Sequence, residues 1–153
     1  MQTHTVIGIS PGTRAIGIAI LRNGKLEDWR IKSFRQKWNE RKLKSILQYI
    51  EQLIHGKHVS VIALKVPHPA RSSKALNKVI KGITEVSETR KIKLHCYTID
   101  DLKTCLNDEN KNNRNTLIEH FKRQYPELQI TCNNNDLYHL KVFEAIASAC
   151  LVL

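Results

Sequence analysis

Three places in the chain put a polar or charged side chain where an apolar pattern ends or is interrupted. Ser10 closes the run Thr5 to Ser10 and is followed by Pro11-Gly12-Thr13-Arg14. Lys65 closes Val61-Ile62-Ala63-Leu64-Lys65. Lys141, Glu144 and Ser148 stand at i, i+3 and i+7 in a core-seeking C-terminal segment, which puts them on one side of a helix. An ammonium has three donors and no lone pair, whereas magnesium takes oxygen donors, usually carboxylates. Ser10, Lys65, Lys141 and Glu144 together carry a net charge of +1. Such a set repels a dication and attracts a phosphate, so no metal ligand set is assigned. Plainer roles stay open: Ser10 satisfying backbone groups of a turn, Lys65 snorkelling to solvent, and Lys141 with Glu144 forming an ordinary helix pair.

The elements that must position these residues can be read from periodicity. Thr5 to Ser10 is an apolar strand, and Pro11-Gly12 supplies turn chemistry. Ala15 to Leu21, apolar on both faces, reads as a central strand, and Asn23-Gly24 as a two-residue hairpin leading into a strand from Lys25 to Phe34. Leu43, Ile46, Leu47, Ile50, Leu53 and Ile54 repeat at helical spacing, with Arg41, Lys42 and Lys44 assigned to the outer face. Val59 to Val66 is a buried strand ended by Pro67 and Pro69. Ser72 or Ser73 can cap the next helix, whose core stripe is Leu76, Val79, Ile80, Ile83 and Val86. Ile92 to Tyr97 alternates as a strand. Thr98-Ile99-Asp100-Asp101 resembles a capping box for a short helix ending near Leu106. Asn113 to Tyr125 is a helix, Leu128 to Cys132 a short extended segment, and the last helix runs from about Asn135 to the C-terminus. The order β-β-β-α-β-α-β-α-α-α, in one domain spanning 1–153, implies a mixed α/β sheet with helices packed on it.

The whole chain of 153 residues has a net charge of +11, unevenly spread. Residues 1–98 hold 19 Lys and Arg against 6 Asp and Glu, whereas residues 99–153 hold 6 against 8. A one-sided basic surface fits a polyanion, and nucleic acid is the usual one; a generic solubility charge is the alternative. Arg14, Arg71, Lys74, Lys78 and Lys81 are the candidate nucleic-acid contacts, with Lys74, Lys78 and Lys81 forming a ridge on one helix. No basic amphipathic segment carries exposed bulky aromatics, no apolar run approaches a bilayer span, and Met1-Gln2-Thr3-His4 does not begin like a signal peptide. A cytoplasmic protein with no membrane role is therefore expected. Cys96, Cys105, Cys132 and Cys150 form no CxxC pair and sit in apolar patterns, so they read as reduced core cysteines rather than zinc ligands or disulfides.

The turn Gly8-Ile9-Ser10-Pro11-Gly12-Thr13 resembles the Gly-Ile-Asp-Pro-Gly-Thr signature of the RuvC-type Holliday-junction resolvases, and the order of elements matches that family's RNase H-like fold. The resemblance covers most of the chain. It implies a five-stranded sheet, an antiparallel meander plus parallel strands, with helices on both faces. It also implies pairing as a homodimer and a two-metal nuclease site. In the family an Asp ends the first strand, a Glu ends the fourth, and two acids sit at i and i+3 on the last helix. Those positions fall on Ser10, Lys65, Lys141 and Glu144, and only Glu144 keeps an acid. Phe143-Glu144-Ala145 looks like a segment of some relatives in which the earlier helix position need not be acidic. The resemblance thus points to a degenerate catalytic site.

Other candidates are weaker. Asp100 and Asp101 read as helix caps, and His68, near Lys65, is either a phosphate contact or a solvated loop residue. Trp29 and Trp38 flank Arg30, Lys32, Arg35 and Lys37, a mix suited to stacking on bases, although Trp29 in a strand equally suits core packing. No Ser-His-Asp or Cys-His order and no phosphate-cradling glycine loop stands out. Three functions fit. The first is a RuvC-like pseudo-nuclease that binds nucleic acid, DNA in particular and branched DNA included, without a cofactor. The second is an active Mg²⁺- or Mn²⁺-dependent endonuclease or resolvase, with ligands drawn from Asp100, Asp101 or Asp136. The third is a non-catalytic interaction subunit.

Overall fold

Alternation along the central strands sorts their side chains onto two very different faces of one sheet. The computed structural model describes residues 4–104, 114–128 and 139–153. The strands are β1 (Thr5–Ser10), β2 (Ala15–Arg22), β3 (Lys25–Ser33), β4 (Val61–Lys65) and β5 (Lys93–Tyr97). The described helices are α1 (Glu40–Gly56), α2 (Lys74–Thr89), α3 (Ile99–Lys103), α4 (Arg114–Gln124) and α5 (Leu140–Val152), with a 3-10 turn at Pro69–Arg71. The strand order is β3-β2-β1-β4-β5. β1, β2 and β3 form the antiparallel meander, and β1, β4 and β5 run parallel. This is the mixed sheet the sequence implies.

Local chemistry explains most of the boundaries. Asn23 and Gly24 both have positive φ, 52° and 82°, as a two-residue type I′ hairpin turn requires, with Arg22 opposite Lys25. Asn39 caps α1 by accepting from the Lys42 amide at 2.8 Å, and Ser73 caps α2 through the Leu76 amide at 3.1 Å. Thr98 and Asp101 form a reciprocal capping box on α3. β4 is shorter than the run Val59 to Val66. His58 turns out of α1 at φ 53°, and the Val59 amide still bonds the Ile54 carbonyl, so pairing starts later. β3 likewise stops one residue before Phe34, and α5 starts at Leu140. The short helix α3 ends at Lys103, short of the expected Leu106, while Leu106 itself, residues 129–132 and residues 135–138 lie outside the described residues.

One face of the sheet carries Ile7, Ile9, Ile16, Ile18, Ile20, Ile62 and Leu64 and packs under α1 and α2. The other carries Val6, Ala19, Leu21, Val61 and Ala63 and packs under α3, α4 and α5. Gly8 and Gly17 belong to this second face. A Cβ on Gly8 would stand 1.9 Å from the Ala145 carbonyl oxygen, and one on Gly17 would stand 2.3 Å from that of Lys141. α5 is therefore seated directly on the strand backbones.

Two expectations need correction. Lys42 is not on the outer face of α1: it is 4% exposed, and its Nζ donates to the Gln36 carbonyl at 2.8 Å. The β3–α1 connection folds over it and supplies that acceptor. Cys96 is not a core cysteine but an exposed one on β5, which ends the sheet. Cys150 is half-buried, with its Sγ 3.8 Å from the Tyr125 hydroxyl. Cys105 and Cys132 lie outside the described residues. Trp29 packs against the core cluster of the small-residue face.

Candidate functional site

Parallel pairing of β1 with β4 sets Ile9 opposite Leu64. The next residues, Ser10 and Lys65, therefore end two central strands side by side at one end of the sheet. α5 crosses the same end. Lys141, Ala145 and Ala149 form the stripe that meets Gly17 and Gly8, and Glu144 lies one helical step to the side. The glycines decide the geometry. With side chains at positions 8 and 17 the helix would be held away from the sheet, and the Glu144 carboxylate would not reach the strand ends.

As built, both carboxylate oxygens are engaged. Ser10 Oγ donates to Glu144 Oε1 at 3.0 Å, and Lys65 Nζ stands 3.3 Å from Glu144 Oε2. Ser10 is fully buried and Glu144 is 6% exposed. Lys65 is half-buried and opens to solvent on its outer side. Lys141 Nζ turns the other way and donates to the Pro11 carbonyl at 3.3 Å, over Gly12. Burial pushes the Lys141 ammonium below its ordinary pKa; Glu144 opposes the shift and Lys65 adds to it. Ser148 is buried but does not join the cluster, because its Oγ bonds the Glu144 main-chain carbonyl at 2.9 Å.

This donor set does not fit a pair of magnesium ions. Of the four side chains only Glu144 is an anion, and its two oxygens are already bonded to a hydroxyl and an ammonium. An ammonium at a strand end repels a dication where a carboxylate would attract it. Among the described residues, no three of His, Cys, Asp and Glu come together as a metal-holding group. Asp101 is spent on its capping box, Asp100 is exposed beside it, and Asp136 lies outside the described residues. His68 caps the 3-10 turn, its Nδ1 accepting from the Ala70 amide at 3.3 Å.

The candidate nucleic-acid contacts are all exposed. Arg14 follows β1, while Arg71 and Lys74 follow β4, so these three stand at the end of the sheet that carries Ser10 and Lys65. Lys78 and Lys81 lie on later turns of α2, and Lys78 Nζ is 3.6 Å from Glu40 Oε1 in an open ion pair. Sequence reasoning missed the seating role of Gly8 and Gly17. The signal was present: they sit across the hairpin at positions that pair with Ala19 and Ser10, giving one face of small side chains. Of the aromatic and basic mix singled out in the sequence, Arg35, Lys37 and Trp38 line a groove beside the β1–β2 turn, and what the sequence did not show is that Arg14 and Lys42 join them there.

No protein-family profile and no curated protein sequence matches the chain. Among solved structures, it is similar to Thermus thermophilus RuvC in complex with a Holliday junction substrate, with a TM-score of 0.69 and 12% identity over 95% of this chain and 90% of that one. A second Thermus thermophilus RuvC structure gives 0.67 and 9% identity over 94% and 92% of the two chains. Among the described residues no helix is long and apolar enough to cross a membrane. At such identities the likeness bears on architecture alone, and on architecture it agrees with the strand order, the mixed pairing and the helices on both faces: the chain has a RuvC-like, RNase H-like fold.

Proposed function

We propose that this chain is a RuvC-like nucleic-acid-binding protein in which phosphate contact has replaced two-metal hydrolysis. The observation that carries the reading is the closed triad Ser10–Glu144–Lys65, with a protein ammonium 3.3 Å from the one remaining carboxylate. A fixed cation there retains attraction for a phosphodiester and has no lone pair to bind or activate a metal ion. Binding is mainly electrostatic, through Lys65 at the strand end and Arg14, Arg71 and Lys74 around it, with Lys78 and Lys81 extending the surface along α2. The RuvC structure solved with a Holliday junction makes branched DNA the first substrate to test.

The test is incubation of the purified protein with four-way junction DNA and Mg²⁺ or Mn²⁺. The expected result is a complex without cleavage, whose affinity falls steeply with salt. Cleavage that disappears in Glu144→Ala overturns the proposal in favour of an active nuclease. A flat salt dependence removes the electrostatic account. A complementary measurement restores the acids. The Ser10→Asp/Lys65→Glu variant should gain thermal stability in millimolar Mn²⁺, while the parent protein does not respond.

A further inference from the structure

Two grooves meet along the segment joining β3 to α1. The first, about 740 Å³, begins at Thr13 and Arg14 of the β1–β2 turn and ends at Trp38 and Lys42. The second, about 560 Å³, continues over Lys32 to Gln48, Tyr49 and Gln52 of α1. They share Ser33, Phe34, Arg35 and Gln36, so they form one track. Each volume lies within the roughly 300–1,000 Å³ of small-molecule sites. Among the described residues neither is lined by an Asp or Glu, yet between them they present four exposed cations, Arg14, Lys32, Arg35 and Lys37, with buried Lys42 in the wall. Among the described residues Arg14, Arg35 and Lys37 have no ion-pair partner. By contrast, Lys78 on the α2 ridge does.

The track is held in shape by its own hydrogen bonds. The Phe34 amide donates to the Arg14 carbonyl at 2.8 Å, tying the end of β3 to the turn after Ser10. Buried Lys42 pins the Gln36 carbonyl, and Asn39 fixes the start of α1 directly after Trp38. Trp38 is half-buried: it packs against the Ile-rich cluster and also lines the groove. A fixed aromatic plate among unpaired cations, in an acid-free channel, suits a ligand that alternates negative charge with flat rings. A duplex keeps its rings stacked inside, whereas an unpaired strand offers them to an aromatic side chain.

We propose that this track binds an unpaired strand of nucleic acid, its phosphates on Arg14, Arg35 and Lys37 and one base stacked on Trp38. This rests on the nucleic-acid reading above and adds to it a strand-specific surface separate from the α2 ridge. Because Arg14 belongs to the turn that follows Ser10, a strand in the track leads toward the end of the sheet that carries Lys65.

The test measures binding of oligothymidylate and oligouridylate of about 12 nucleotides, within the usual site size of single-strand binders, alongside a blunt duplex. Both single strands should quench tryptophan emission, and the tighter of the two identifies DNA or RNA as the preferred source. Trp38→Leu, which keeps an apolar side chain against the cluster, should abolish the quenching. It should also weaken single-strand binding on the order of tenfold with little effect on the duplex. Arg35→Ala/Lys37→Ala should reduce the salt slope for single strands by roughly 1.4, about 0.7 for each lost phosphate contact. Single-strand binding that survives both variants unchanged, in protein with an unaltered thermal midpoint, overturns the track and leaves the wider proposal standing. Failure to bind any nucleic acid overturns both. Polyglutamate that binds as tightly as the oligonucleotide, without quenching, overturns the track in favour of an acidic protein segment.

Discussion

The two faces of the sheet are built to opposite rules. Under α1 and α2, branched side chains from Ile7, Ile9, Ile16, Ile18, Ile20 and Ile62 fill the space between sheet and helices. Under α5 the facing residues shrink to Gly8, Gly17, Ala19 and Ala63 on the strands and Ala145 and Ala149 on the helix. Bulk stabilises the first face by removing apolar area from water, at roughly 25 cal/mol per Å². Closeness defines the second, where helix backbone rests on strand backbone. The polar triad lies on the face built for closeness, where a helix carboxylate comes within 3.0 Å of a residue on a central strand. The first face makes the sheet stable, and the second makes a site possible.

Substitutions on each face can break or sharpen that contrast. The largest effect is expected from Gly8→Val, whose first new atom would fall 1.9 Å from the Ala145 carbonyl oxygen. Overpacking against backbone should cost about 3 kcal/mol or more, read as a fall in the urea midpoint or as failure to fold. A loss below about 1 kcal/mol would show that α5 can lift off and would end the closeness argument. Next comes Glu144→Leu, which leaves Lys65 without its carboxylate. Because Lys65 is partly open to water, a cost of about 2 kcal/mol is expected, below the ~3–5 of a fully buried pair. Removing both charges in Lys65→Met/Glu144→Leu should recover most of that loss, and a double variant as unstable as the single one would contradict it.

Ile18→Val, on the bulky face, should cost only about 1 kcal/mol, in keeping with a cavity the size of one methylene. The smallest effect concerns Lys141. Its folded-state pKa is depressed by burial, so below that pKa both states are protonated and the folded state bears the desolvation. As pH rises through the folded pKa toward 10.5, the unfolded lysine retains a proton that the folded one has released, and stability increases. Lys141→Met should be more stable than the parent at neutral pH, and the gap should close in that alkaline window, checked by urea midpoints across pH.

Local chemistry made much of this legible in the sequence. Asn23-Gly24 marked its hairpin, Thr98 and Asp101 their capping box, and the ends of two parallel strands located Ser10 and Lys65. Adjacency of those ends to Glu144 followed once the sheet order was right. What stayed hidden depends on tertiary context. Lys42 falls in a polar stretch of α1, and only the loop folding over it supplies the acceptor that lets it be buried. Cys96 alternates like a core residue, but it lies on β5, the edge strand among the described residues, and is left exposed there. The basic track assembles Arg14 with Arg35, Lys37 and Trp38 from two connections that meet only because the Phe34 amide reaches the Arg14 carbonyl.

The closed triad also sets the order in which this site could change through evolution. Lys65 compensates Glu144, so Ser10→Asp alone adds a second acid beside an ammonium already present. Lys65→Glu alone removes the compensation and sets two carboxylates together with no cation between them. The two substitutions are therefore epistatic, and a change toward an acidic site is easier in one order than in the other. Among homologous chains, the pair of positions should covary: a carboxylate at 65 should accompany aspartate at 10 and should not occur with a neutral residue there.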